Sequence, residues 1–101
     1  MKKLLLVLLL SVPAIVDAED DGNELLEFMR RPASHGVALA YIDDVRVQWD
    51  RTLFCIPGSD PQTQAFDAVK LYLEDNPDQR FRPRRYLIVQ GLRAAYPCQA
   101  K

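Results

Sequence analysis

The apolar positions of this chain fall into five groups, separated by proline, glycine and charge. The first, "LLLVLLLSVPAIV", is nearly continuous. The other four return at helical intervals. In "DDGNELLEFMRR", Leu25, Leu26, Phe28 and Met29 make one apolar face, and Pro32 stops the segment. Asp21 stands three residues before Glu24, the spacing of a capping box. The longest segment is "SHGVALAYIDDVRVQWDRTLF". There Val37, Tyr41, Val45 and Trp49 recur at i, i+4, with Ala38 and Ile42 beside them, which predicts a helix. Within it "VRVQW" alternates like a strand, so that part is open between the two periods.

"SDPQTQAFDAVKLYLEDN" follows, with Ser59 or Asp60 as N-cap and Pro61 at the first helical position. Ala65, Phe66, Val69, Tyr72 and Leu73 form its apolar stripe, and Asn76–Pro77 ends it. The last segment, "RPRRYLIVQGLRAAY", starts near Pro83 and stops at Pro97. Tyr86, Val89, Leu92 and Tyr96 can share a face there, widened by Leu87, Ile88 and Ala95. Gly91 inside it costs about 1 kcal/mol against alanine. Close packing against another helix is the expected return. The fold class read from this pattern is all-α, a small bundle of about four helices with no internal repeat.

The first apolar run changes the picture of where the domain begins. "MKK" before it is a basic leader start, and Val16 and Ala18 occupy the −3 and −1 positions of a cleavage site. Pro13 interrupts the run, which is short for a membrane span. Residues 1–18 are therefore read as a signal peptide cleaved after Ala18, leaving a domain of residues 19–101. A retained anchor is the alternative. Export implies an oxidising compartment, and the two cysteines then read as one bridge, Cys55–Cys98. A reactive thiol is the other use such a pair could have.

Lys2, Lys3 and Asp17 belong to the leader, so the remainder carries 11 Lys and Arg against 13 Asp and Glu. That balance is no footprint of a nucleic-acid binder. Nothing after residue 18 is long and apolar enough to enter a membrane. The only histidine is His35, at a turn or helix start, where a surface or capping role suits it. One histidine and two bridged cysteines do not make a zinc site, and no serine elbow or glycine-rich phosphate loop is present. Asp43 and Asp44 are adjacent, so on a helix they diverge by about 100° and form no carboxylate dyad. The sequence thus predicts no catalytic set, no metal and no cofactor.

One cluster carries candidate binding chemistry. "DQRFRPRRY" gathers Arg80, Arg82, Arg84 and Arg85 around the start of the last helix, where cations oppose the helix dipole. Either they pair with Glu74, Asp75 and Asp78, or they form a contact surface for an acidic protein partner. Tyr41 and Trp49 present a similar choice between core anchors and interface aromatics.

The order of these residues resembles a known family. "ALAYIDDVRVQW", then "FCIP", Gln62 and Gln64, "YLEDNP", Arg80, "YLIVQGLRAAY" and the closing "PC" are similar to the Rap/Tai immunity proteins of type VI secretion systems. The resemblance spans Leu25 to Cys98. It implies a small, exported, mostly helical protein that neutralises a peptidoglycan-cleaving amidase in the periplasm and forms a homodimer. Relatives often carry two further cysteines, in the region that reads "EFMRRPASHGVALAY" here, and small residues where this chain has Arg84 and Arg85. A different class of function, a small periplasmic chaperone or structural stress protein without a toxin partner, also suits a helical domain with one disulfide.

Overall fold

The computed structural model describes residues 21–99, and the leader and its cleavage site lie outside them. Four α-helices make up the described residues: α1 (Gly22–Arg30), α2 (His35–Trp49), α3 (Pro61–Asp75) and α4 (Arg84–Ala95). Short 3-10 turns, Pro32–Ser34 and Pro77–Gln79, join α1 to α2 and lead from α3 toward α4. No strand forms among the described residues, so "VRVQW" is helical.

The helix starts follow the predicted chemistry. An Asp21 carboxylate oxygen accepts the Glu24 N–H at 3.0 Å, capping α1. Asp60, rather than Ser59, caps α3 through the Thr63 N–H at 3.4 Å, with Pro61 in the first turn. Ser34 behaves differently. Its hydroxyl donates back to the Phe28 carbonyl at 3.2 Å, tying the start of α2 to the end of α1.

One core unites the four helices. Leu25, Leu26 and Met29 enter it from α1, Ala65, Phe66, Val69 and Leu73 from α3, and Leu87, Ile88 and Leu92 from α4. The α3 stripe matches the one read from the sequence, with Tyr72 half-buried at its edge. On α2 the buried line is Ala38, Ile42 and Val45, not Val37–Tyr41–Val45–Trp49. Val37 and Trp49 are left at the surface, and Tyr41 is half-buried. On α4 the buried line is Leu87, Ile88, Gly91 and Leu92, so Tyr86 faces solvent. Gly91 has the packing role expected of it. A Cβ there would stand 3.1 Å from the Tyr72 Cβ and 3.4 Å from the Val69 Cα, so α3 and α4 touch almost backbone to backbone.

The second helix is shorter than its segment. It stops at Trp49, and residues 50–54 turn instead of continuing. Arg51 adopts a left-handed φ of 75°, and its N–H donates to the Phe54 carbonyl at 2.6 Å. The Asp50 carboxylate accepts the Ile56 N–H at 3.2 Å, closing the turn. The turn's effect is to bury Phe54 and Ile56, which flank Cys55 on either side. Cys55 then bonds Cys98, with the two Cα atoms 4.9 Å apart. Its N–H also donates to the Tyr96 carbonyl at 2.8 Å. The segment between α2 and α3 is thereby fixed to the end of α4.

Candidate protein-binding face

The four arginines leave the last helix start in three directions. Arg84 sits over the Tyr41 ring, its guanidinium carbon 3.8 Å from the ring centre. The Tyr41 ring in turn meets Phe28, with centroids 6.2 Å apart. This stack bridges α4, α2 and α1. One turn along α2, Asp44 receives Arg85 at 3.4 Å. Both partners of that pair are more than half exposed, so it adds little to stability. Between these contacts runs a small groove of about 220 Å³, floored by Val45 and Ile88 and walled by Ala40, Tyr41, Asp44 and the two arginines.

Arg82 points the other way. Its Nε donates to the Gln79 side-chain oxygen at 2.8 Å. Its guanidinium carbon sits 5.4 Å from the Phe81 ring centre and 5.1 Å from that of Tyr86. Arg80 turns toward α1. Its carbonyl accepts the Asn23 backbone N–H at 3.1 Å, and its Nε is buried without a hydrogen-bond partner.

The acids at the end of α3 do not hold Arg80, Arg82 or Arg85. Glu74 pairs with Arg30 at 3.5 Å, and Asp78 takes a side-chain bond from Gln79. The structure therefore brings Tyr41, Arg84 and Arg85 together and sets Arg82 and Arg80 on the adjoining corner. Trp49 lies apart, two helical turns and about 12 Å along α2 from Tyr41. Phe81, not singled out from the sequence, and Tyr86, read there only as part of the apolar face of the last helix, belong to the same surface as Arg82. The alternation of aromatic and basic residues in "RFRPRRY" is the signal that marks them.

The remaining polar groups have structural work. Asp43 holds Arg46 through a close ion pair on α2. The His35 ring lies against Phe66, with centroids 4.6 Å apart, at the first residue of α2. Among the described residues no group of three or more His, Cys, Asp or Glu could hold a metal ion. No helix among them is long and apolar enough to cross a membrane.

A family model described as Rap1a immunity proteins matches residues 21–98. The chain belongs to that family. The match begins at the cap of α1 and ends at the second cysteine, so it takes in the whole four-helix unit and its bridge. No curated protein and no solved structure matches the chain. Membership in the Rap1a immunity family implies a protein effector as partner.

Proposed function

We propose that this chain is a periplasmic immunity protein that binds and inhibits a peptidoglycan amidase delivered by a type VI secretion system. The observation that carries the reading is the family match across residues 21–98, which covers the folded unit from its first helix cap to Cys98. The apolar leader supports export, with cleavage after Ala18 leaving residues 19–101 as the working domain. The partner surface is the face built on Arg80, Arg82, Arg84, Arg85 and Tyr41. Trp49, set apart on α2, is a second contact point rather than part of that face. Inhibition needs complementarity to the amidase and no nucleophile of the chain's own. Leu71, 59% exposed on α3 beside Ala94 and Ala95, supports a homodimer that covers it.

The test is co-expression. The full chain is exported together with each cell-wall amidase encoded beside its gene, and lysis is followed. Protection against one of them is the expected result. Equal lysis with and without the chain, for every such amidase, would refute the reading. Light scattering should report twice the monomer mass, and mass spectrometry of the periplasmic protein should show Glu19 at the amino terminus.

A further inference from the structure

The corner between α3 and α4 is a positive and aromatic surface, with Phe81 and Tyr86 exposed beside Arg82. Asp78 is the one acid from Asn76 to Tyr86, against four arginines. No acidic side chain of the described residues pairs with Arg82. The guanidinium is instead steadied by Gln79 and by two rings, Phe81 at 68% exposure and Tyr86 at 42%. The Tyr86 hydroxyl in turn accepts from the Gln90 side chain at 3.0 Å.

The backbone beneath is also fixed. The first two N–H groups of α1, from Gly22 and Asn23, donate to the Arg82 and Arg80 carbonyls, each at 3.1 Å. Gly22 permits this approach. A Cβ there would run into the Leu87 side chain and stand 3.0 Å from the Arg80 carbonyl oxygen. An arginine held in place before contact loses little freedom on binding. A large exposed phenyl ring beside it supplies the apolar anchor on which interface energy concentrates.

We infer that Phe81, Arg82 and Tyr86 form a preorganised clamp for an aspartate or glutamate side chain on the effector, with Phe81 entering an apolar hollow next to that carboxylate. Charge complementarity selects the partner. The outer guanidinium nitrogens offer a planar fork that fits a carboxylate, and the surrounding arginines disfavour a basic surface. The clamp rests on the reading of the chain as an effector-binding protein and names where the binding free energy is concentrated.

The experiment measures calorimetric affinity of the full chain, purified from periplasm, for each cell-wall amidase encoded beside its gene. Phe81→Ala, Arg82→Lys and Arg82→Glu are compared with wild type. Phe81 is exposed and Arg82 half-buried, and unchanged thermal melts confirm that each variant folds. Phe81→Ala is expected to weaken binding about thirtyfold or more. Arg82→Glu should weaken it further, and reversing one acidic residue of the effector to lysine should restore much of that loss. Arg82→Lys should fall between wild type and Arg82→Glu. If wild type binds an amidase while Phe81→Ala and Arg82→Glu bind it within twofold of wild type, the clamp is wrong and the immunity reading stands. If wild type binds none of them, both fall. Binding of isolated peptidoglycan stem peptides that depends on Phe81 and Arg82, with effector binding unaffected, would also overturn the clamp.

Discussion

Replacing both Cys55 and Cys98 by serine removes the one covalent tie between the middle of the chain and its end. The bridged residues are 43 apart in sequence. For a loop of that length the chain-entropy relation gives about 4 kcal/mol at 25 °C. A domain of this size holds only about 4–12 kcal/mol in total. The native contacts at the bridge do not vanish with it. Phe54 and Ile56 remain buried, and the Cys55 N–H still faces the Tyr96 carbonyl. The loss should therefore come chiefly from a freer unfolded chain. Urea titration of the double variant should show stability lower by about 2–5 kcal/mol and a steeper denaturant slope, because the unfolded state exposes more surface. The melting temperature should drop by roughly 8–40 °C. Reduced wild type should follow the variant's curve. Effector binding should return at a temperature where the variant is folded. A loss below about 1 kcal/mol, with an unchanged slope, would refute the reasoning and place the bridge's value elsewhere.

Three further substitutions probe the packing. Phe54→Ala, at a fully buried site next to the bridge, should cost about 3–5 kcal/mol in urea titration. Gly91→Val should cost about 1–3 kcal/mol, because Tyr72 and the Val69 backbone leave no room for its side chain, and the loss should appear as faster unfolding. Arg51→Gly should raise stability by about 0.5–1 kcal/mol, since glycine takes the left-handed φ of 75° without strain, and a melt would show it.

Helix α3 was legible because its polar and apolar residues separate cleanly around the axis. Helix α2 was not. "VALAYI" is apolar on almost every side, so stripes one residue apart fit the period equally well. Packing selects the stripe containing Ala38, a small residue with no exposed surface, and leaves Val37 and Trp49 outside. The stop at Trp49 was hidden because the turn after it uses an arginine in a conformation that glycine usually signals. The arginine cluster was visible as composition, but its pairing was not. Glu74, Asp75 and Asp78 are near in sequence, whereas the partner of Arg85 is Asp44, 41 residues away across a helix interface. The steadying of Arg82 by Phe81 and Tyr86 depends on how the chain bends at Pro83, which spacing alone does not set.

The exposed link Pro57–Asp60, with Gly58 at a φ of 92°, is the most accessible stretch between α2 and α3. A protease that cut there would sever the chain between Cys55 and the third helix. The fragments would not part. The first would carry α1, α2 and Cys55, the second α3, α4 and Cys98, and the disulfide would join them. The first fragment's Gly22 and Asn23 would still donate to carbonyls of the second. Such a nicked molecule is a two-chain protein with its helix interfaces complete. It would migrate as one species until reduced and then as two, and the corner that carries Phe81 and Arg82 would lie wholly within the second piece.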